Sequence, residues 1–172
     1  MDELVPTLDI GLASALRAPL QGRSRESYER MLSAAEELLA ERGDGGFTLS
    51  EVSRVGKVSI GSIYNRFESK DALLHAVQLR VLERVNREMG ESMASGLAGE
   101  ASLDSLVTRL VEAVAETLRR HAPPMAALMQ IASVDDHVAA TGKAFYQQTV
   151  DAWSAAILAH RDEIRRPDAE RA

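Results

Sequence analysis

Apolar and small residues recur at helical spacing in two neighbouring quartets, and this pattern predicts two short helices. The quartets, each at i, i+3, i+4 and i+7, are Leu49, Val52, Ser53 and Gly56, then Ile60, Ile63, Tyr64 and Phe67. Thr48 followed by Glu51 is a capping box, so the first helix is predicted to begin near Leu49. Ser59 is a second N-cap residue, which leaves residues 56–58 as the turn.

Two short helices joined by so tight a turn predict a helix-turn-helix motif. Val58 is expected to fill the corner between them, and the apolar stripes are expected to pack on each other and on a larger body. A helix-turn-helix of this kind places the N-terminal part of its second helix in the major groove of DNA. The short polar side chains of that second helix suit such a partner.

Helical spacing continues around this motif, so the predicted fold class is all-α. The other predicted helices cover residues 24–42, 70–89, 103–122, 123–131 and 135–165. Pro123 and Pro124 are expected to open the fourth of these, and Gly90, Gly96 and Gly99 to lie in a loop. The predicted buried face of 70–89 is Leu73, Leu74, Val77, Val81, Leu82 and Val85. That of 103–122 is Leu103, Leu106, Val107, Leu110, Val111, Val114 and Leu118.

Composition limits the class of protein. The 172 residues are 45% hydrophobic and 27% charged, which is enough to bury a core in one domain or two small ones. No long uncharged apolar stretch predicts a spanning helix, and the acidic start is unlike a secretory signal, so a cytoplasmic location is expected. The absence of cysteine excludes disulfides and cysteine-ligated zinc.

The charge distribution does not by itself mark a nucleic-acid-binding protein. The net charge is −6, divided as −2 over residues 1–20, zero over 21–70 with eight basic and eight acidic residues, and −4 over 71–172. Position matters more than this total, because the basic residues of the second segment lie near predicted helix ends that can meet phosphates. The acidic remainder is expected to face away from DNA.

Residues 28–77 resemble a known family. The spacing A-x-x-L-x-x-x-x-G-x-x-x-x-T, followed by V-S-I-G-S-I-Y-N-R-F-E-S-K-D-A-L, is similar to the DNA-binding domain of the tetracycline-repressor (TetR) family, with the likeness strongest over residues 24–85. The family often has Ala-Gly before the turn valine, where this chain has Gly56-Lys57. Lys57 is therefore expected to adopt the left-handed conformation that glycine usually supplies.

The resemblance implies a homodimeric repressor that leaves a palindromic operator when a small-molecule effector binds its C-terminal domain. It divides the chain into a flexible arm (1–22), a helix-turn-helix domain (23–70) and a helical ligand-binding and dimerisation domain (71–172), joined by a connecting helix at 70–89. The family usually has two more helices after a segment like 161–172. We therefore expect a short or truncated member, or one whose last helix takes over dimerisation.

By resemblance and geometry, twelve residues are expected to meet DNA. The face presented to the duplex is predicted to comprise Ser59, Ile60, Gly61, Ser62, Tyr64 and Asn65. Phosphate contacts are expected from Tyr64, Asn65 and Lys70, from Thr48 at its helix start, and from Lys57. Arg66 suits either role, and Arg23 and Arg25 suit phosphate or minor-groove contacts.

Each assignment has a purely structural alternative. Tyr64 and Phe67 are expected to be partly core residues in any fold, and Ser59 would cap its helix without DNA. Lys70 and Asp71 would also suit a solvated helix start. The joint spacing of the motif favours the functional interpretation.

The second half of the chain offers a candidate effector cavity, enclosed by the large or adaptable residues Met125, Met129, Phe145, Tyr146 and Trp153. Ordinary core packing explains the same residues and is the stronger interpretation. The four histidines, His75, His121, His137 and His160, show no metal-ligand spacing, so neither a metal nor a cofactor is predicted.

Two rival functions come from other classes. An enzyme would need a nucleophile, a base and oxyanion donors, and the chain has no G-x-S-x-G, P-loop or H-E-x-x-H pattern. A helical protein-interaction module without DNA binding would also have amphipathic helices. It would not need Gly61 and short polar side chains on an exposed helix face.

Overall fold

Six α-helices make up the part of the chain that the computed structural model describes, residues 22–97 and 102–164. They are α1 (Gly22–Arg42), α2 (Leu49–Gly56), α3 (Ile60–Tyr64), α4 (Lys70–Leu97), α5 (Leu103–Ile131) and α6 (Asp136–Leu158), followed by a short 3-10 turn at Arg161–Glu163. These residues contain no strand, and the all-α prediction is confirmed. The predicted arm lies outside them except for Gly22, which begins α1.

The helix α4 is longer than predicted. It continues to Leu97, so Gly90 and Gly96 are helical and do not belong to a loop. A glycine inside a helix costs only about 1 kcal/mol relative to alanine. Packing of the preceding turns is sufficient to offset that cost, since all six residues of the predicted buried face are buried, Leu73 and Val77 completely.

Pro123 and Pro124 lie inside α5, so the prediction of a break and a new short helix there was wrong. Their missing N–H groups deprive the carbonyls of Arg119 and Arg120 of helical partners. Both arginines lie on the exposed side of α5, where water can replace the lost bonds. Pro124 is buried, and the turn that follows packs into the main core, which keeps the helix axis continuous.

The helix α6 is shorter than predicted. Asp135 caps its start by accepting from the backbone N–H groups of His137 and Val138, as expected for an N-cap residue. The helix ends at Leu158 and not near residue 165. Glu163, in the 3-10 turn, accepts a 2.8 Å hydrogen bond from the N–H of Leu103, which ties this end of α6 to the start of α5.

One hydrophobic core joins the helix-turn-helix to the longer helices. α1 contacts α2, α4 and α5, while α4 also contacts α6. The largest fully buried side chains of this core include Met31, Leu39, Phe47, Ile63 and Phe67, and the C-terminal part of α5 contributes Ala127, Leu128 and Ile131. We call helices α1 to α3 with the part of the core around them the head. Because the core crosses residue 70, the division into domains at that position stays a prediction.

The outer ends of α5 and α6 form a second, much smaller cluster. Leu106, Leu110 and Ala156 are buried there, with Trp153 and Ile157 packed against them. The predicted buried face of α5 was therefore only partly right, because Val107, Val111 and Leu118 are exposed. The described chain places no helix on the side of α5 that these three residues occupy.

Candidate nucleic-acid interface

The capping box at Thr48 fixes where α2 begins. Thr48 Oγ1 accepts from the N–H of Glu51 at 3.3 Å, and the Glu51 carboxylate accepts from the Thr48 N–H at 2.8 Å. The Thr48 hydroxyl also donates to that carboxylate, which in turn pairs with Arg42 of α1. The hydrogen bonds from Thr48 and then the Arg42 guanidinium lower the pKa of Glu51 to about 2. Thr48 is thus engaged within the protein as well as exposed.

The turn between α2 and α3 has the predicted geometry. Lys57 lies in the left-handed region with φ 51° and ψ 44°, and its N–H donates to the carbonyl of Ser53. The Ser53 hydroxyl donates to the carbonyl of Val58 at 2.6 Å, while Val58 is buried in the corner. Gly56 allows α2 to approach α1, since a Cβ there would lie 2.9 Å from the carbonyl oxygen of Arg30.

The helix α3 presents one face to solvent. The Ser59 side chain caps it by accepting from the Ser62 N–H at 3.1 Å. Ile63 is fully buried, whereas Ile60 and Tyr64 are 39% and 61% exposed. A Cβ built on Gly61 would meet no atom within 4 Å, so packing within the protein does not require glycine there.

The second apolar quartet of the sequence is therefore divided between two environments. Ile63 and Phe67 enter the core, where Phe67 stacks on Tyr28 with ring centroids 5.7 Å apart. Ile60 and Tyr64 point outward, so the expectation that Tyr64 is partly a core residue was wrong. The helix ends at Tyr64, and the chain then turns so that Phe67 returns to the core while Tyr64 stays exposed.

The predicted face is assembled on one surface. Ser59, Ile60, Gly61, Tyr64 and Asn65 are exposed, and Ser62 is half-buried with its hydroxyl 2.7 Å from that of Ser59. The exposed Lys57 precedes this face. The sequence reasoning missed Arg54, an exposed cation in the last turn of α2, although its place at a helix end was readable from the chain.

The other predicted phosphate contacts are held by the protein itself. Lys70 Nζ donates to the carbonyl of Gly45 at 2.8 Å and lies 5.8 Å from the centre of the Phe47 ring. Arg66 donates to the Ser24 hydroxyl and lies over the Tyr28 ring. These bonds fasten the loop after α1 and the turn after α3.

Two arginines of α1 complete the predicted DNA contacts. Arg25 is exposed in the first turns of α1. The side chain of Arg23 lies outside the described residues.

The five residues predicted to enclose an effector are not brought together. Met129 and Tyr146 are 72% and 69% exposed, Met125 packs against the main core, and Trp153 belongs to the outer cluster. Phe145 is buried, but none of the five lines the open groove of about 390 Å³ between α1, α4 and α5.

That groove is crossed by ion pairs. Arg84 of α4 pairs with Glu36 of α1, and Arg80 donates to the Ser33 hydroxyl at 3.0 Å. On the α5 side, His121 lies 2.9 Å from the Glu88 carboxylate, and this hydrogen bond is the main cause of the lowered pKa of Glu88. These contacts hold α1 against α4 and α5.

The histidines do not form a metal site. The rings of His75 and His137 stack at 4.0 Å, and His75 Nε2 is 3.4 Å from the Asp135 carboxylate, yet no group of three potential ligands within 22–97 and 102–164 has metal-binding geometry. The pKa of Asp135 is lowered, chiefly by the hydrogen bond from the Val138 N–H. Among the described helices, none combines the length and apolarity needed to cross a bilayer.

Known proteins share this N-terminal region. The HTH-type transcriptional repressor KstR2 of Rhodococcus jostii is 32% identical over 93 residues, which cover 54% of this chain and 45% of that protein. The HTH-type transcriptional regulator AlkX of Mycobacterium tuberculosis is 29% identical over 117 residues (67% and 52%). UidR of Escherichia coli, also an HTH-type transcriptional regulator, is 26% identical over 121 residues (64% and 61%). The matched part spans about half to three fifths of these relatives.

The family comparison matches the head itself. Residues 31–77 fit the model of the bacterial regulatory proteins of the tetR family, and this range contains the capping box, the turn at Lys57 and the whole of α3. Through this domain, the chain belongs to the TetR family of bacterial regulatory proteins.

Proposed function

We propose that the protein is a sequence-specific DNA-binding transcriptional regulator of the bacterial cytoplasm, acting as a ligand-responsive repressor on a palindromic operator. The observation that carries this proposal is the exposed face of α3. Its glycine has no neighbour to make room for, while the opposite side of the helix is anchored by the fully buried Ile63. A small residue on a rigidly held exposed helix is what close approach to a base edge requires.

Base contacts are assigned to the N-terminal part of α3. Ile60 offers an exposed aliphatic group to a thymine methyl, and Gly61 lets the backbone come near. Ser59 and Ser62 supply short hydroxyls that can donate or accept. These contacts would set sequence preference.

Phosphate contacts are assigned to the exposed polar residues around that face. Tyr64, Asn65 and Lys57 are free to turn toward a backbone, whereas Lys70 would first have to leave the Gly45 carbonyl. Arg54 and Arg25 extend the same surface. Phosphate contacts set register and contribute most of the salt dependence.

The regulatory step requires two heads at a fixed separation. A dimer reading two half-sites on one face of DNA places its recognition helices about 34–36 Å apart. α4 joins each head to the remainder of the chain, so a small molecule that shifts α4 would change this separation. An effector can do so only through its difference in affinity for the two arrangements.

A salt-titrated gel shift tests the DNA-binding part of the proposal. The purified protein should bind duplexes selected from a random pool, and its affinity should fall steeply as salt rises. A helical protein-interaction module would show no such binding, and that outcome would reject the proposal. A saturating inducer that left operator affinity unchanged would reject the regulatory step alone.

Two glycines provide a matched test of the α3 face. Gly61 and Gly90 are both helical and both have open space where a Cβ would stand, so alanine should slightly stabilise the fold at either position. Gly61→Ala is expected to weaken binding to the selected duplex by about tenfold, a loss of about 1.4 kcal/mol. Gly90→Ala should bind as the wild type does. Equal affinities for the two variants would remove Gly61 from the interface.

A further inference from the structure

One side of α5 carries a row of aliphatic residues that nothing in the described chain covers. Val107, Val111 and Leu118 are 41%, 61% and 52% exposed, and Val114 between them is half-buried. Their spacing of i, i+4, i+7 and i+11 places them on one side of the helix over about 16 Å. Contiguous exposed apolar surface of this kind marks an interaction site.

The row continues onto α6. The outer ends of the two helices meet, because Leu106 and Leu110 pack with Trp153 and Ile157, and Glu163 binds the N–H of Leu103. The helices are therefore antiparallel, and two turns inward from these contacts Tyr146 lies level with Leu118. Tyr146 is 69% exposed. We call Val107, Val111, Val114, Leu118 and Tyr146 the α5–α6 seam.

We propose that the α5–α6 seam binds the same seam of a second copy of this chain. When two α5 helices run antiparallel about a two-fold axis between Val111 and Val114, these two residues face each other across the axis. Val107 of one copy then faces Leu118 of the other. The row is thus self-complementary, as a two-fold interface requires.

The charges at the two ends of the row fit the same arrangement. Asp104 and Arg119 lie on the same flank of the row, and the two-fold axis brings Asp104 of one copy within about 3 Å, measured along the helix, of Arg119 of the other. Arg119 pairs with Glu116 in the single chain, but both side chains are exposed, at 73% and 44%. Such exposed pairs are weak, so Arg119 is able to turn toward a partner carboxylate.

The size of a stable interface sets a further condition. A typical interface buries about 800 Å² on each partner, which a few half-exposed aliphatic side chains do not supply alone. Tyr146 widens the seam at one end, and Ile164, 40% exposed and next to the Glu163 bond to Leu103, widens it at the other. The second copy therefore has to contact α6 and the 3-10 turn as well as α5.

This surface deepens the dimer implied by the proposed function and rests on it, but its test needs no DNA. Sedimentation equilibrium of the full 172-residue chain should show a monomer–dimer equilibrium. Val111→Glu places two carboxylates near the axis and is expected to raise the dimer dissociation constant at least about tenfold. Val134→Glu, at an 86% exposed position between α5 and α6, is the control and should leave it unchanged.

A charge exchange completes the test. Asp104→Arg alone should weaken the dimer, and adding Arg119→Asp should restore it, because each seam contains the pair twice. Both residues are exposed, so the helical circular dichroism should not change. A chain that stays monomeric, a dimer indifferent to Val111→Glu, or a double variant that is not restored would each overturn the seam. DNA binding measured on the same samples separates such a failure from a failure of the proposed function.

Discussion

The two ends of α5 show how different surroundings give the same residue types different fates. At the C-terminal end, Ala127, Leu128 and Ile131 join a core built from α1 to α4. At the N-terminal end, Leu106 and Leu110 are buried only against α6, and Val107 and Val111 on the neighbouring side are exposed. Helical periodicity indicates which residues can be buried together, but burial itself depends on neighbours that the helix does not encode.

The sharpest test of this contrast uses two fully buried leucines, Leu39 in the head and Leu106 in the outer cluster, 0% and 1% exposed. Leu→Ala substitutions cost about 2–5 kcal/mol, depending on how far the site can collapse. We expect Leu39→Ala to cost about 4–5 kcal/mol and Leu106→Ala about 2–3 kcal/mol. Urea unfolding monitored by circular dichroism would measure both, and equal losses would break the comparison.

The tight packing of the head also predicts intolerance at Gly56. Alanine there would place a Cβ 2.9 Å from the Arg30 carbonyl oxygen and 3.2 Å from Ala34 Cβ. Separating α1 from α2 to relieve this contact should cost about 1–3 kcal/mol. Thermal unfolding of Gly56→Ala, with Gly90→Ala as control, tests it. A melting temperature equal to that of the control would show that the head is looser than described.

Backbone conformation gives a smaller effect of opposite sign. Lys57 has a left-handed backbone, so Lys57→Gly should stabilise the head by about 0.5 kcal/mol. Arg54, a cation three residues earlier within α2, is the control, and Arg54→Gly should destabilise the head by about 0.5–1 kcal/mol. Chemical denaturation distinguishes the two signs. The same sign for both variants would exclude backbone conformation as the cause.

The smallest expected effect is the acid sensitivity of two exposed carboxylates, one at each end of the comparison. The pKa of Glu51 is lowered from 4.5 to about 2 by its bonds to Thr48 and Arg42, and that of Glu163 is lowered by the bond from the Leu103 N–H. Because both are depressed in the folded state, their contribution is complete above pH 4.5 and is lost as the pH falls below it. For Glu51 the loss extends to about pH 2.

Glutamine variants isolate this effect. The stability difference between wild type and Glu51→Gln should shrink between pH 6 and pH 3, and the same should hold for Glu163→Gln. Hydrogen exchange would locate the first loss at the start of α2 and the second at the start of α5. A difference independent of pH would show that these carboxylates are not coupled to folding.

The sequence predicted best what neighbouring residues decide among themselves. The capping box at Thr48, the cap at Ser59 and the left-handed Lys57 all follow from interactions within a few residues, and all are confirmed. The buried face of α4 was also predicted correctly, because the core surrounds that helix on several sides.

The sequence predicted poorly what depends on distant parts of the chain. Tyr64 shares helical spacing with Ile63 and Phe67, and only the end of α3 at that residue turns it outward. Likewise, Pro123 and Pro124 would break an isolated helix, and α5 stays continuous because its next turns are held in the core. The effector residues were proposed from side-chain type alone, which does not determine whether their helices converge.

The continuity of α5 through its two prolines has a mechanical consequence. With 29 residues, the helix is a single rod about 43 Å long, fixed in the head at one end and carrying the self-complementary row at the other. A tilt imposed where two chains meet would be delivered, undamped by any joint, to the body that holds α3. The distance between two recognition helices would then be governed by the angle at which two such rods cross.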